Sequence, residues 1–475
     1  MRAIVAHWPG AWLLLTLGCG CGDVHAPDGG FDAGVDARDA EVDAPVDAGA
    51  IVLEPGPAFG RACAPWSGLP DVLARGLPAD STPRRLWRWS PSDDPRWTTL
   101  GGGDPNLASL TRSPSGRFMV LTSGRSMRVA TLSGAGELLA LTAPAGPVRS
   151  PIVALPDGRA AIVVNDVPDG EIEGTTLLAT VTPDGALEAA RVAGGRARVD
   201  APTDPVSLAV GPEGRLYFAA QNWIAATCQG SELVWRLILP AEVRLVELIV
   251  DPGGNLWAAD GNPRGGAPAL RVAPNGDTEW SPAPSPATPS AEVRTGWFGD
   301  TRLVTAGVDD TAWAFVVNGA AVEWSAPLDV APVGGRVAQF DGTAGVWLTN
   351  AVAGRLVRLT RAGTAFDVPA IAYPLVTGVL EDGSLLRMLD LGPPHVGLED
   401  PATGLERWRV AFDDPDSVGN MLHPPAIGPD GVAVLSTGTA VFAIQLDRLP
   451  PLEPACFGAT CGNSRMDGAA VRFLR

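Results

Sequence analysis

A short turn centred on glycine and followed by an apolar strand recurs along most of the chain. The clearest copy runs from Asp251 to Asp260, and a second hairpin follows it and ends at Trp280. Proline supplies the fixed φ and glycine the permissive φ that a tight reversal of the chain needs. The copies of the turn are Ser113–Gly116, Leu155–Gly158, Gly211–Gly214, Asp251–Gly254, Phe298–Thr301, Asp341–Gly345, Leu380–Gly383 and Gly428–Gly431. Such units predict many short antiparallel strands.

The spacing of these turns indicates how the strands are grouped. Successive turns lie roughly 38 to 56 residues apart, which brackets the period of propeller repeats. Each turn precedes a predicted strand: Arg117–Leu121, Ala160–Val164, Leu216–Ala219, Leu256–Ala259, Arg302–Thr305, Val346–Thr349, Leu385–Met388 and Val432–Leu435. A four-stranded sheet cannot cover both of its own faces, whereas radial repetition lets each sheet cover the next. The sequence therefore predicts an all-β fold, a β-propeller with eight blades, with seven blades as the alternative.

The two ends of the repeat region are each incomplete. The last unit, Val432–Asp447, ends after two strands, and the segment Leu86–Leu100 has the form of the second half of a unit without its first half. Pairing these segments would complete one blade, so we expect N- and C-terminal strands to close the ring. The predicted domains are an N-terminal extension at 51–83, the propeller at 84–450 and a cysteine-containing tail at 451–475.

Several repeats resemble known families. Ala402–Val410 and Gly438–Asp447 resemble repeats of the quinoprotein-like (PQQ-like) eight-bladed propellers, and Asp251–Trp280 also resembles the repeat of streptogramin lyase and NHL-type propellers. The PQQ-like resemblance implies that a tryptophan on the outer strand of a blade docks against the neighbouring blade. The tryptophans in comparable places are Trp97, Trp235, Trp280, Trp324 and Trp408. The resemblance concerns architecture, because fold does not fix function.

The first residues predict export. A short apolar run leads to Thr16-Leu17-Gly18-Cys19, which resembles the lipobox of bacterial lipoproteins. The resemblance implies a signal peptide at 1–18 and a lipid on Cys19, and it predicts a lipoprotein of the outer membrane or cell surface of a Gram-negative bacterium. An ordinary signal peptide and cleavage before Cys21 are the alternatives. The acidic, Asp/Ala-rich segment 19–50 is predicted to be a disordered tether.

The charge of the chain limits its partners. The formal net charge is −18 at pH 7, and an acidic chain is repelled by the phosphates of nucleic acids and by anionic lipid headgroups. We therefore expect no nucleic-acid partner. The only membrane contact that we expect is the lipid anchor, and the predicted oligomeric state is a monomer.

The residues predict no catalytic group. A quinone-dependent dehydrogenase would be expected to have an adjacent Cys-Cys pair, which this sequence lacks, so PQQ is not an expected cofactor. His395 and His423 are interpreted as loop histidines rather than catalysts. No Gly-x-Ser-x-Gly elbow, His-Glu-x-x-His motif or phosphate loop occurs.

Polar residues follow the predicted post-turn strands and should emerge on one face of a propeller. They are Asn165, Asp166, Gln221, Asn222, Asp260, Asn262, Asp309, Asp310, Asn350 and Asp390. A ring of such oxygens around a channel could bind Ca²⁺, Mg²⁺ or a polar ligand. The favoured interpretation is that loops require Asn and Asp in any case.

Four cysteines lie in the predicted folded part: Cys63, Cys228, Cys456 and Cys461. They allow three pairings, and their dispersed spacing favours disulfides over a metal site. Together these features predict an envelope-anchored propeller that acts as a non-catalytic binding or scaffold module, with an envelope protein or a polysaccharide as its partner. The alternative is a metal-assisted lyase or lactonase that uses the polar loops at the channel mouth.

Overall fold

A computed structural model describes a large part of the chain, all of it within the unit Asp47–Arg475. The described residues are 51–66, 74–99, 106–123, 127–144, 148, 150–166, 173–190, 196–198, 206–220, 222–241, 243, 245–250, 254–260, 269–280, 293–298, 301–308, 311–318, 321–328, 338–340, 345–350, 355–360, 365–369, 375–389, 395–412, 425–437 and 439–450. The signal peptide predicted at 1–18, Cys19, the tether at 19–50 and the tail at 451–475 lie outside these ranges. The prediction of an almost wholly β fold is confirmed within them.

The strands up to Trp280, apart from β2, form four antiparallel sheets. Sheet 1 contains β3 (Asn106–Arg112), β4 (Phe118–Ser123), β5 (Val129–Leu132) and β6 (Leu138–Thr142); sheet 2 contains β7 (Val153–Ala154), β8 (Ala160–Asp166), β9 (Glu173–Val181), β10 (Leu187–Ala190) and β11 (Arg196–Arg198); sheet 3 contains β12 (Val206–Val210), β13 (Arg215–Ala220), β14 (Trp223–Cys228), β15 (Glu232–Ile238) and β1 (Val52–Pro55); sheet 4 contains β16 (Leu245–Val250), β17 (Leu256–Asp260), β18 (Ala269–Val272) and β19 (Thr278–Trp280).

Four more sheets follow, and an N-terminal strand belongs to the last of them. Sheet 5 contains β20 (Val293–Phe298), β21 (Thr301–Val308), β22 (Thr311–Asn318) and β23 (Ala321–Leu328); sheet 6 contains β24 (Ala338–Phe340), β25 (Gly345–Asn350), β26 (Arg355–Thr360) and β27 (Ala365–Pro369); sheet 7 contains β28 (Leu375–Val379), β29 (Leu385–Leu389), β30 (His395–Asp400) and β31 (Leu405–Ala411); sheet 8 contains β32 (Ala426–Ile427), β33 (Val432–Ser436), β34 (Val441–Gln445) and β2 (Arg84–Trp89). The helical elements of the described residues are a 3₁₀ turn at Pro91–Asp93 and α1 at Pro95–Thr99.

The glycines of the predicted turns adopt the backbone conformation for which they were singled out. Gly116 and Gly383 both have a φ of 81° and Gly158 has one of 89°, values in the left-handed region that side chains with a Cβ avoid. In the first of these turns the amide of Gly116 donates to the carbonyl of Ser113 at 2.9 Å. Each of these turns connects the first and second strands of a sheet, so the strand predicted after the turn is the second strand of that sheet.

The described part of the hydrophobic core is divided into layers, each of which lies between two successive sheets. One cluster joins sheet 1 to sheet 2, another joins sheet 2 to sheet 3, and a third joins sheet 3 to sheet 4. Sheet 7 packs against sheet 8 through residues such as Leu398 and Phe442. Sheet 8 in turn packs against sheet 1, with Ala443 and Phe118 in the same cluster.

The N-terminal segment is built into the sheets at two places. Strand β1 pairs with β15 as the outermost strand of sheet 3, and a disulfide joins Cys63 to Cys228 at the end of β14. The indole of Trp66 then donates to the carbonyl of Gly211 at 3.2 Å. Further along, the amide of Gly76 donates to the carbonyl of Pro429 at 3.1 Å. The extension therefore contacts sheet 3 first and sheet 8 second, before β2 begins.

Strand β2 supplies the outer strand of sheet 8. It pairs antiparallel with β34, with Arg84 opposite Gln445 and Trp89 opposite Val441. This segment is the one that the sequence singled out as an unpaired second half, and its partner is the incomplete last unit. The strand ends before Pro91, where the 3₁₀ turn begins.

Tryptophans on outer strands dock onto the next sheet, as the family resemblance implied. The indole nitrogen of Trp235 on β15 donates to the carbonyl of Pro274 at 3.2 Å, and that of Trp408 on β31 donates to Asp447 at 3.1 Å. Trp87 on β2 makes the equivalent bond, at 2.9 Å, to Gly134. The interpretation of Trp97 as a docking residue of this kind was wrong, because Trp97 lies in α1.

Candidate functional site

The structure describes only part of the predicted ring of polar residues. Asn165 and Asp166 end β8, Asp260 ends β17 and Asn350 ends β25. Gln221, Asn262, Asp309, Asp310 and Asp390 lie outside the described residues. Side chains are described for Asn165, which is buried, and for Asn222. The assembly of these residues into one site stays a prediction.

Asn222 has a structural role in the described part of the chain. Its side-chain amide donates to the carbonyl of Leu239 at 2.8 Å, and its own carbonyl accepts a bond from the amide of Leu239 at 2.7 Å. These two bonds join the beginning of β14 to the end of β15. Asn222 therefore satisfies backbone groups at the end of a strand pair, which is the usual work of an asparagine in a loop.

A group of charged side chains on sheet 7 was not predicted from the sequence. Alternate residues of β30 point to opposite faces of the sheet. Val396 and Leu398 enter the core shared with sheet 8, so His395, Gly397 and Glu399 lie on the other face. Arg387 of β29 is opposite Gly397 in the register, and Glu406 of β31 is opposite Glu399. We call Arg387, His395, Glu399 and Glu406 the Arg387 cluster.

A glycine makes room for one member of this cluster. A Cβ added at Gly397 would lie 2.8 Å from the Oε2 atom of Glu406, so the carboxylate of Glu406 lies over the backbone of β30. The same Oε2 atom is 3.4 Å from Nε2 of His395. The Oε1 atom accepts a bond of 2.6 Å from Nε of Arg409. The absence of a side chain at position 397 therefore lets an acid and a histidine meet on this face.

His395 lies in a strand and not in the loop that the sequence predicted. It was read as a loop residue, yet it is the first residue of β30, where it pairs with Leu389 and Ala411, and it is buried. The interpretation as a loop residue was wrong, because β30 begins at His395 itself. His423 lies outside the described residues.

Arg387 is the most deeply buried charge of the cluster. Its residue is 4% exposed, and its Nη1 atom is bound to Glu399. Burial lowers the pKa of Arg387 below its usual value, and the neighbouring charge of Glu406 acts in the opposite direction. Among the described residues, no acceptor lies within hydrogen-bonding reach of Nε or Nη2. A buried donor without an acceptor costs about 1 to 3 kcal/mol, and more when it is charged.

No known protein-family model matches the chain, and no curated protein matches it. Solved propeller structures do resemble it. The Dos1 propeller aligns with a TM-score of 0.53 and 9% identity, over 78% of this chain and 97% of that one. BamB from Moraxella catarrhalis aligns with a TM-score of 0.49 and 11% identity, over 72% of this chain and 100% of its own. Virginiamycin B lyase from Staphylococcus aureus aligns with a TM-score of 0.43 and 12% identity, over 76% of this chain and 98% of its own.

The likeness to the Dos1 propeller shows the fold, a β-propeller, and at this identity it shows the fold alone. Within the described ranges, no group of three or more His, Cys, Asp or Glu side chains is arranged to hold a metal ion. No helix in the same ranges is long and apolar enough to cross a membrane.

Proposed function

We propose that the chain is an envelope-anchored lipoprotein whose β-propeller acts as a non-catalytic binding or scaffold module. The observation that carries this proposal is the disulfide between Cys63 and Cys228. Disulfides persist in oxidising compartments and are rare in the cytosol, so a structural disulfide supports the export that the residues before Cys19 indicate. The bond also fastens the segment that follows the predicted tether to sheet 3.

This attachment suits an anchored protein. A tether that ends near residue 50 enters the domain at β1, which is paired along its length with β15 and is followed by the disulfide. Glu54 on β1 also forms an ion pair with Arg236 on β15. Tension on the tether would therefore be carried by a covalent bond and by a strand pair, rather than by a free N-terminal end.

We further propose that the eight sheets are eight blades and that β2 closes the ring. Two observations support this arrangement. The outer strand of sheet 8 comes from the N-terminal side of sheet 1, and sheet 8 shares a hydrophobic cluster with sheet 1. Closure of this kind removes the exposed edge that an open array of sheets would leave at each end.

Binding is favoured over catalysis because several described polar groups at the ends and interfaces of the sheets serve the fold. Asn222 satisfies backbone groups of sheet 3, and Trp87, Trp235 and Trp408 donate to the next sheet. We propose the residues that follow the second strands as the surface for a partner, which we expect to be an envelope protein or a polysaccharide.

Metabolic labelling tests the anchor. The full-length protein, expressed in a Gram-negative host and supplied with labelled palmitate, should carry the label and sediment with membranes. Cys19→Ala should remove the label, because the acyl chain is attached to that sulfur and supplies the hold on the membrane. Cys21→Ala is the matched control and should be labelled like the wild type. Label that survives in Cys19→Ala but is lost in Cys21→Ala would place the lipid on Cys21 instead of Cys19. Label that survives in both variants would refute a lipid on Cys19.

Purification separates the binding module from an enzyme. The protein, released from membranes with mild detergent after crosslinking in cells, should recover a reproducible envelope protein or polysaccharide. Stoichiometric Ca²⁺ or Mg²⁺ in the purified protein, together with no recovered partner, would instead support a metal-assisted lyase or lactonase at the polar loops.

A further inference from the structure

The turn that joins β18 to β19 contains an asparagine followed by a glycine. Asn275 is exposed, and Gly276 has a φ of 93°. Because glycine has no Cβ, nothing on Gly276 hinders the approach of its own amide nitrogen to the side-chain carbonyl of Asn275. The sequence contains one other such pair, Asn318–Gly319. Both pairs therefore have the local chemistry for spontaneous deamidation.

Deamidation of Asn275 would need only water. The amide nitrogen of Gly276 loses its proton and attacks Cγ of Asn275. A bond from this nitrogen to Cγ forms, the bond from Cγ to Nδ2 breaks, and ammonia leaves with the proton. Water then opens the resulting cyclic imide at either carbonyl. One opening gives aspartate, and the other gives isoaspartate, in which the backbone runs through the side chain and is longer by one atom.

Three hydrogen bonds in the folded turn oppose this attack. The amide of Gly276, which must lose its proton, donates to the carbonyl of Ala273 at 2.9 Å. Nδ2 of Asn275 donates to Oδ2 of Asp277 at 2.7 Å, and Oδ1 of Asn275 accepts a bond of 3.2 Å from the amide of Asp277. The last two bonds hold the side chain of Asn275 against Asp277, so they must break before Cγ can turn to the nitrogen of Gly276.

We propose that Asn275 is a deamidation site whose reaction the folded turn slows, and that the side chain of Asp277 is a positioning group in this protection. Each hydrogen bond that must break first slows the attack about two- to tenfold. With three such bonds, residue 275 should react at least about tenfold more slowly in the folded protein than in the unfolded chain. The proposal concerns chemical change of the chain with age and does not depend on the envelope function.

The same turn is a contact point between sheets 3 and 4, so its modification has a structural consequence. The carbonyl of Pro274 accepts the bond from the indole of Trp235 on β15. Gly276 lies against β1, because a Cβ added to it would be 3.0 Å from Cδ1 of Leu53. Isoaspartate would lengthen the backbone of the turn, and aspartate would bring a second carboxylate to Asp277. Either product should therefore loosen the contact of sheet 3 with sheet 4.

Peptide mapping by mass spectrometry measures the reaction at residue 275. The purified full chain is incubated at mildly alkaline pH, either folded in buffer or unfolded in guanidinium chloride after reduction and alkylation of its cysteines. Asn318 is the internal standard in the unfolded chain, where both asparagines should react at similar rates. Residue 275 should react at least about tenfold more slowly in the folded protein. Protein in which residue 275 has become isoaspartate should melt at a lower temperature than fresh protein.

Two variants at position 277 test the role of its side chain. Asp277→Ala removes the acceptor of the bond from Nδ2, so residue 275 of the folded variant should react about two- to tenfold faster than in the wild type. Asp277→Asn is the matched control, because it keeps an acceptor oxygen there, and its rate should stay near that of the wild type. All three proteins should react alike when unfolded, so a difference confined to the folded state reports the protection.

Thermal melting establishes that each variant is folded before its rate is compared. If Asp277→Ala does not fold, Asp277→Val takes its place, because valine suits a position next to a strand. Equal rates at residue 275 in folded and unfolded wild type would overturn the proposal. A folded variant without the carboxylate that reacts no faster than the wild type would overturn the role of Asp277. An unfolded chain that reacts at Asn318 but not at Asn275 would remove the site altogether.

Discussion

Arg112, at the end of β3, and Asp430, in the turn between β32 and β33, form a two-pronged ion pair between sheet 1 and sheet 8. Both nitrogen–oxygen distances are 2.7 Å, and the two residues are 318 positions apart in the sequence. Arg112 is 3% exposed on its side chain and Asp430 is 25% exposed. The guanidinium also lies over the ring of Phe118, with its carbon 5.1 Å from the ring centroid.

Removing one partner of this buried pair should lower the free energy of unfolding much more than removing one partner of an exposed pair. Asp430→Asn removes a negative charge that is bound to the buried guanidinium of Arg112, so we expect the free energy of unfolding to fall by about 3 to 5 kcal/mol. The matched control is Asp93→Asn. Asp93 pairs with Arg88 but is 62% exposed on its side chain, and exposed pairs contribute about 0 to 1 kcal/mol. Urea unfolding monitored by tryptophan fluorescence measures both, and equal losses would contradict the role given to Arg112.

The same pair should make stability depend on acid pH. Burial would raise the pKa of Asp430, but the hydrogen bonds and charge of Arg112 outweigh it and hold the pKa below its usual value. A carboxyl whose pKa is lowered in the folded state stabilises the fold fully above the unfolded pKa of about 3.9. That contribution is lost as the pH falls through the folded pKa.

The wild type should therefore lose stability between about pH 4 and pH 2 more steeply than Asp430→Asn does. Urea midpoints measured at several pH values in this range give the two slopes. Parallel slopes would show that Asp430 does not titrate as inferred. Asp382, whose pKa is also lowered, contributes to acid sensitivity in both proteins alike.

Comparing two glycines with the same backbone conformation distinguishes the cost of backbone strain from the cost of displacing Trp87. Gly136 and Gly383 have φ values of 82° and 81°, so a Cβ causes similar backbone strain at either position, about 1 kcal/mol. At Gly136 the Cβ would also lie 2.5 Å from the ring of Trp87, whereas at Gly383 nothing lies within 4 Å.

Gly136→Ala should accordingly destabilise the fold by about 1 to 3 kcal/mol more than Gly383→Ala. Thermal melting gives the difference, and a shift in tryptophan emission should accompany Gly136→Ala alone. If the two variants melt together, the contact of Trp87 with sheet 1 does not contribute as described.

The disulfide should stabilise the fold strongly because it closes a long loop. Cys63 and Cys228 are 165 residues apart, and the chain-entropy model assigns about 5 kcal/mol to a loop of this size, at the upper end of measured values. The double variant Cys63→Ser with Cys228→Ser should lower the melting temperature accordingly. Dithiothreitol should lower it in the wild type and leave the double variant unchanged, and sensitivity of the double variant would point to another disulfide.

The local features of the fold were predictable from the sequence because they depend on neighbouring residues. Gly116, Gly158 and Gly383 marked turns that the structure contains, since a positive φ is a property of one residue and its turn. The pairing of the segment around Trp87 with the last unit was also predictable, because two incomplete ends can complete each other.

Features that depend on distant contacts were not predictable in the same way. Four cysteines allow three pairings, and spacing alone does not select Cys63 with Cys228. Strand β1 was missed because Val52–Pro55 is too short to show an alternating pattern. Trp97 lies in a helix and not in the strand that was expected for it. Pro91 and Pro95 favour the start of a helical turn, because proline suits the first position of a helix.

The Arg387 cluster was missed although part of its signal is visible in the sequence. His395, Gly397 and Glu399 alternate with Val396 and Leu398, which is the pattern of a strand with one polar face. What the pattern does not show is that Arg387 and Glu406, on neighbouring strands, occupy the same face. Which residues share a face depends on the register of the strands. A β-bulge between Leu398 and Glu399 shifts the register of β30 and β31 by one residue.

The pairing of β2 with β34 has a consequence for the order of folding. Ser90, directly after β2, donates to the carbonyl of Thr439, which is 349 residues later in the chain. At synthesis rates of about 5 to 20 residues per second, roughly 17 to 70 s separate the appearance of these two groups. During that interval β2 has no strand of sheet 8 to pair with, because β34 is not yet made. The eighth sheet is therefore the last to be completed, although its outer strand is among the first to be made.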